Sequence, residues 1–422
     1  MEINAAEIRD PVHGYVYANE LERDIIDNPV FQRLRRIKQL ACAHLTYPGA
    51  HHTRFEHSIG TMYLAGCSAN HLLNNELIDN EQKQIIKLAA LLHDIGHGPF
   101  SHLFEEVLNV RGLTHENIST KIIRETEIND ILTKHGFDAS NISDLSVGTS
   151  KHYPLFMNDL IGGFLSVDTM DYLLRDSYFS GVEYGKVDVH RIINCYDIEN
   201  NQICIDKAGL YALESLIIAR YEMFRAVYFH RTVRAAAIMI INSMILSDDE
   251  LGFSQIDNLD SFLNLSDENV IENIINLKTS NSNLKYASEL ASNYKNRNML
   301  KLIFEQIFTS ETLGQSFIGN IYSKKKFRSD FISELSSKSN VPEEFIFVDV
   351  SSASSVPTKS THDLLDEIII VSKDSGEKNV ETLQALELPI AKSILGHMDI
   401  LRVYTVARYQ DPVKNALNSL LR

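Results

Sequence analysis

The sequence predicts a mainly α fold, with a helical core over residues 1–310 and a small α+β lobe over residues 311–422. Three observations carry that reading. Apolar residues recur at i, i+3, i+4 through most of the chain up to about residue 307, the period of amphipathic helices. Helix-start signals punctuate these runs: Asp27 or Asn28 stands ahead of Pro29, and Asp79 pairs with Gln82. Further on, the runs Phe345-Ile346-Phe347-Val348 and Ile368-Ile369-Ile370-Val371, flanked by serines, have the β-branched and aromatic composition of strands.

Taken in order, Asp10 to Gly14 followed by Tyr15-Val16-Tyr17 reads as a turn and a short strand. After Ser58, IGTMYLAGCSANHLL has helical spacing, and Gly60, Ala65 and Gly66 permit close packing. A helix opens at Asp79 and ends at Gly96. Leu160 to Ser177 reads as one helix whose stripe includes Ile161, Phe164, Leu165, Asp168, Tyr172 and Asp176. A long helical pattern covers Leu210 to Leu246; Ser266 to Leu277 and Tyr286 to Ile307 follow, separated by a polar tract.

Composition excludes several classes of function. With 422 residues, 44% hydrophobic and 23% charged, the chain has the make-up of an ordinary globule with a large core. No apolar run approaches the roughly 20 residues that cross a bilayer, and MEINAAEIRD lacks the features of a signal peptide, so no membrane partner and a cytoplasmic address are expected. Forty basic against fifty-six acidic side chains give a net charge of −16, which argues against a nucleic-acid partner. The basic clusters Arg33, Arg35, Arg36, Lys38 and Lys324, Lys325, Lys326, Arg328 read as solvated faces. Cys42, Cys67, Cys195 and Cys204 show no paired spacing and read as core thiols.

The chemistry concentrates in His93-Asp94-Ile95-Gly96-His97-Gly98-Pro99-Phe100-Ser101-His102. Imidazole and carboxylate donors crowded at a helix end suit a divalent cation such as zinc, iron, nickel or manganese, provided other segments complete the shell. His57, near the start of a buried helix, is one candidate. Asp168 is the other, because an acid inside an apolar stripe is costly unless it is paired. His13, His51, His52, His71, His135 and His152 read as turn, surface or satisfied core residues.

With His57, His93, Asp94 and Asp168 assembled, the chain resembles the HD-domain phosphohydrolases. The segments DPVHGYVY, FQRLRRIKQL, YPGAHHTRFEHSIGTMYLAG, LLHDIGHGPFSHLFE, His115-Glu116 and VDTMDYLLRDSYFSG resemble, in order, the deoxynucleoside triphosphate triphosphohydrolases of the type that carries a sterile-alpha-motif in animals; no such motif is present here. The resemblance implies an HD-domain helical core and a metal, Mn, Fe, Zn, Ni or Mg, held by those four residues. It implies a reaction in which a dNTP is cut to deoxynucleoside and triphosphate. His102 would supply the proton, oriented by Glu105, with His97, His115 and Glu116 binding phosphate or tuning the relay. Arg54 and Arg225 would reach the phosphates, while Gln39, Leu40, Tyr172, Asp176, Tyr228 and His230 would meet the sugar or base.

Asp27, Gln32 and Arg35 match the guanine-reading residues of an allosteric site, implying a GTP or dGTP effector and assembly as a dimer or tetramer, although Ala6 stands where that site has a lysine. Thr169 replaces another family lysine, beside the metal acid. Hydrolysis of a different nucleotide or phosphate ester, or a catalytically silent nucleotide sensor, are the alternative readings.

Overall fold

The N-terminal turn closes a hairpin because Asp10 Oδ1 accepts from the backbone N–H groups of Val12 and His13 at 2.9 and 2.8 Å, while Gly14 takes φ +82°. Strand β1 (Ala6–Asp10) thus pairs antiparallel with β2 (Gly14–Ala18). The computed structural model describes residues 5–308, 325–354, 368–374, 377–383 and 397–421. Asn28, rather than Asp27, caps the short helix that Pro29 opens.

Three helices form the centre of the molecule. The helix Arg54–Asn74 is buried on most of its circumference and packs against Asn80–Leu92 and Val167–Ser180. Each starts on a side-chain cap: Thr53 with Glu56, Asp79 with Gln82, and Ser166 on the Thr169 N–H. Gly60 sets the spacing, since a Cβ there would lie 2.0 Å from Asp171 Oδ1. That close approach brings His57 and Asp168 within reach of each other.

Three expected helices are corrected. Leu160 to Ser177 is two helices, Leu155–Gly162 and Val167–Ser180, divided where Gly162 and Gly163 end one and Ser166 caps the next. Asp168 therefore sits in a first turn, not mid-helix. Leu210 to Leu246 is also interrupted: Leu210–Met223 runs into a π-turn over Phe224–Tyr228, and His230 caps a new helix, Arg231–Leu251. Tyr286 to Ile307 is helical only within Ser282–Lys295, beyond which Arg297 takes φ +59° and a strand begins.

Among the described residues, strands β3 (Tyr196–Glu199) and β4 (Gln202–Asp206) form a hairpin beside the core, and β5 (Lys301–Phe308), β6 (Ile346–Ser354), β7 (Ile369–Asp374), β8 (Glu377–Thr382) and β9 (His397–Thr405) follow. The order is β5-β9-β6 in one antiparallel sheet and β3-β4-β7-β8 in another, with β4 and β7 parallel. The two strand runs expected near 345 and 368 are present as β6 and β7. The C-terminal strands β7 and β8 thus extend the β3–β4 hairpin, and the three-stranded sheet begins at Lys301; the boundary expected at 310, like Lys324, lies outside the described residues. Leu335, Val403 and Val413 are fully buried between that sheet and the helices Lys325–Ser339 and Gln410–Leu420. Arg33, expected on a solvated face, is completely buried and donates to the carbonyls of Ile95 and His97 at 2.9 and 2.7 Å. No helix among the described residues is long and apolar enough to cross a membrane.

Candidate metal centre and active-site cavity

His93 ends the Asn80–Leu92 helix and Asp94 opens the turn after it. His93 Nδ1 lies 2.8 Å from the Ala90 carbonyl and His57 Nδ1 lies 2.7 Å from Asp171 Oδ2, so in both rings the hydrogen belongs on Nδ1 and Nε2 keeps its lone pair. Those two Nε2 atoms face the carboxylates. Asp168 Oδ1 is 3.0 Å from His57 Nε2 and 3.6 Å from His93 Nε2, while the Asp94 oxygens stand 3.5 and 3.3 Å from the same atoms. Bonds of about 2.1 Å to one cation place neighbouring ligand atoms roughly 3.0–3.4 Å apart; two of these separations fall in that range and the other two exceed it by at most 0.2 Å. Both Nε2 atoms are buried and hydrogen-bonded to nothing, a costly arrangement unless something fills the point on which they converge. The residues therefore fit a divalent cation.

The electrostatics follow from what stands behind the ligands. Burial opposes ionisation of Asp171, yet the Arg175 guanidinium, with hydrogen bonds from His13 and His57, holds its carboxyl well below the usual range. Arg175 in turn bonds Asp10 at 2.8 Å, tying the N-terminal hairpin to the metal ligand through four side chains. Asp94 is likewise held low against burial, chiefly by Arg54, whose Nη1 is 2.5 Å away. Burial works against charge on His57, but Asp168 and Asp171 outweigh it and raise that ring to about 10 without a cation; a cation bound there would displace this second proton.

A second histidine group lies next to the first. His102 Nδ1 is 2.8 Å from Glu105 Oε1, His115 Nδ1 is 2.9 Å from the same oxygen, and the rings of His97 and His115 stack at 4.0 Å. The two imidazoles overcome the effect of burial and lower the Glu105 carboxyl, and His115 is raised in return. Glu116, half exposed, reaches His115 at 3.7 Å.

Both groups open on one cavity of about 660 Å³, within the range of small-molecule sites. It is lined by Tyr172, Asp176 and Tyr228 at what we call the far end, up to two turns along the helix from Asp168, and by Gln39 and Leu40 next to the Phe100–Ser101 turn. Asp176 is fixed by His52 and Tyr228, each at 2.7 Å. Gln39 Oε1 and Arg54 Nη2 are buried without partners.

Other expected residues are placed elsewhere. Arg225 is exposed on the π-turn and does not line the cavity; the extra residue of that turn rotates it away. Arg220, missed in the sequence, lines it instead: it is buried, bonded to the Tyr172 hydroxyl, unpartnered at Nε, and pulled down by burial to about 10, so still charged at neutral pH. His230 is also outside the lining, its Nδ1 accepting from Thr232 N as a helix cap. Gln32 and Arg35 bond each other at 2.8 Å, Arg35 lies over the Phe55 ring, and Asp27 is exposed at the end of the preceding helix.

Asp171, Arg175, His13, His52 and Asp267 were also missed as parts of the site. The buried Asp267 carboxylate accepts from Phe100 N at 2.7 Å and Lys38 N at 3.0 Å, fastening the His97–His102 turn to the Gln39–Leu40 loop. Phe100, Ser101 and Ala41 in those two segments take positive φ without being glycine, so the fastening holds strained backbone in place. Sequence carried a signal for only two of these residues: Asp171 and Arg175 stand at i, i+4 beside the predicted ligand acid.

A helical core carrying a His, His-Asp, Asp quartet defines an HD-type metal centre, and comparison with known proteins agrees. Residues 54–149 match the HD domain and residues 187–422, more than half of the chain, match the HD associated region. The chain belongs to the HD-domain phosphohydrolase superfamily, whose members are metal-dependent. It is 37% identical over 278 residues to an uncharacterised protein of Methanocaldococcus jannaschii, covering 63% of this chain and 57% of that one. It is 32% identical over 325 residues to a deoxynucleoside triphosphate triphosphohydrolase SAMHD1 homolog of Dictyostelium discoideum, covering 72% and 61%. A hypothetical protein from Aquifex aeolicus of known structure superposes with a TM-score of 0.77 at 28% identity, over 98% of this chain and 99% of that one. The chain spans between half and two thirds of the length of the curated relatives named here.

Proposed function

We propose that the protein is a metal-dependent phosphohydrolase that cuts deoxynucleoside triphosphates into deoxynucleoside and triphosphate. The observation that carries this reading is the convergence of His57, His93, Asp94 and Asp168, with two buried unpartnered Nε2 atoms, at one end of a cavity whose other end has a buried acid and an apolar wall. A cation held there would acidify water and offset charge at phosphorus.

The chain's own groups do the rest. Arg54, with Nη2 free beside Asp94, and Arg220 are placed to hold phosphate oxygens, and Arg220 offers the positive charge that Thr169 does not. His102 Nδ1 is bound to Glu105, so its Nε2 can carry the proton that the leaving O5′ requires. Asp176, oriented from two sides, suits a 3′ hydroxyl. Leu40 would leave a 2′ hydroxyl unmatched, which costs on the order of 1–3 kcal/mol and disfavours ribonucleotides.

The test is incubation of the full chain with each dNTP and Mn²⁺ or Mg²⁺, with and without GTP or dGTP, followed by chromatography. Deoxynucleoside and triphosphate are the expected products. No turnover of any dNTP under all these conditions overturns the reading. Thr169 favours a second reading, another phosphate ester, for which the same chromatography shows a different product. An effector bound near Asp27, Gln32 and Arg35, and assembly into dimers or tetramers, belong to the same proposal; light scattering with and without dGTP reads both.

A further inference from the structure

The two histidine groups share one geometric signature. In the metal centre, His57 and His93 Nε2 lie within ion-pair distance of carboxylates, yet neither is hydrogen-bonded to them: the atoms aim at a point between the groups rather than at one another. In the second group, His115 Nδ1 lies 2.9 Å from Glu105 Oε1 and is likewise buried without a hydrogen bond. His97 Nδ1 is buried and unpartnered too, while its Nε2 faces Asp94 Oδ1 at 3.3 Å, which favours the hydrogen on Nε2 and leaves the Nδ1 lone pair free. One donor atom from each of His97, His102, Glu105 and His115 falls within 4.8 Å of every other. His102, mostly exposed, leaves a path from solvent.

We infer that His97, His102, Glu105 and His115 form a second cation site, selective for a borderline transition ion such as Zn²⁺ over Mg²⁺. Three imidazoles and one carboxylate are the donors that zinc prefers, and magnesium, which keeps its water and takes oxygen, does not compete for them. Ligation through Nδ1 leaves each ring's remaining hydrogen on Nε2 and releases any second ring proton to solvent. Asp94, facing both His93 and His97 at 3.3 Å, separates the two ions and lowers the repulsion between them.

The site has a consequence that rests on the function proposed above. His102 cannot deliver a proton while its ring is bound to a cation, so the second ion inhibits. Zinc at one equivalent supports turnover and zinc beyond one equivalent suppresses it.

The test strips the full chain with a chelator, dialyses it against excess Zn²⁺ and counts bound metal by mass spectrometry. Wild type is expected to hold one more zinc than either His115→Ala or Glu105→Gln, and Asp168→Ala is expected to weaken the first site and keep the second. Two variants are used so that one that fails to fold does not decide the matter; circular dichroism identifies it. One zinc in wild type, or a count unchanged in the folded variants, overturns the second site. The turnover arm is separate: two zincs bound with undiminished hydrolysis leave the site standing and remove His102 from the proton's path, whereas absence of hydrolysis at every zinc level counts against the function and not against the site.

Discussion

At the metal end of the cavity, three of the four groups that face the centre are gripped from behind: His57 by Asp171, itself held by Arg175 and His13, Asp94 by Arg54, and His93 by a backbone carbonyl. At the far end the wall is a corner, where a π-turn hands over to a new helix and where Tyr228 and His52 hold Asp176, Arg220 bonds Tyr172, and Arg234 pairs with Asp349 of β6. The first arrangement stores its accuracy in hydrogen bonds between helices close in the fold. The second borrows its shape from the C-terminal sheet, whose Ile400 packs on Phe229 and whose Tyr404 hydroxyl bonds the Arg231 carbonyl. Damage at the two ends should therefore register differently, in metal content and turnover at one end and in substrate affinity at the other.

The largest expected effect is from Asp94→Ala, which removes a ligand and leaves Arg54 unpaired. Metal counted by mass spectrometry should fall by one equivalent relative to wild type and hydrolysis should be lost while the circular dichroism spectrum is kept; an unchanged metal count would mean that the quartet is not the centre. Next comes His102→Ala. It should lower kcat by roughly 10² to 10⁴, the usual contribution of a positioned proton donor, with metal at the first site unchanged. A change in KM alone would remove His102 from the chemistry. Asp171→Asn keeps the shape but weakens the grip on His57, and should cost about 10- to 100-fold in metal affinity, measured by competition with a chelator.

This contrast also describes what was legible in the sequence. His93 and Asp94 are adjacent, and adjacency survives any error in secondary structure. Asp168 stood out because an acid stood among apolar residues, and the structure places it 3.0 Å from His57 Nε2, although the stripe it seemed to share spans two helices and its place within a helix was misread. Arg225 shows the opposite case. It was named from the resemblance and from its i, i+3 spacing to Tyr228 on one regular helix, whereas the structure puts both in a π-turn, unmarked by Pro or Gly in FRAVYFHR, that leaves Arg225 exposed. Asp267 had no signal at all, because it meets Phe100 across 167 residues of chain. The metal end is local in sequence or anchored by chemistry, while the far end is made by tertiary packing that periodicity does not see.

Asp349→Asn probes the far end. It removes the negative charge that pairs with the cavity-lining Arg234, whose guanidinium bonds both Asp349 oxygens at 2.6 and 3.1 Å, and leaves one oxygen to accept. The expected result is a KM raised about three- to ten-fold with kcat and metal content near wild type, roughly 1 kcal/mol, which is below the ~1.5–3 kcal/mol of a hydrogen bond between charged groups because Arg234 keeps its charge and one acceptor. An equal loss in kcat would show that the sheet acts on the reacting groups and would erase the distinction between the two ends.

The smallest effect expected on chemistry comes from Asp267, which joins the ends. Burial lifts its carboxyl to about 6, against the pull of Lys38 and two backbone donors. Its folded pKa is higher than the ordinary carboxylate value of 3.8, so its favourable contribution is complete below about pH 4 and is lost as pH rises through 6. Asp267→Asn cannot titrate. The melting temperature of that variant, measured without metal and compared with wild type, should therefore improve relative to wild type between pH 4 and pH 7, whatever offset the lost Lys38 pairing imposes at both values. A difference that stays flat across that window would mean that Asp267 is ionised throughout, with the two backbone N–H groups stabilising the charge fully despite its burial.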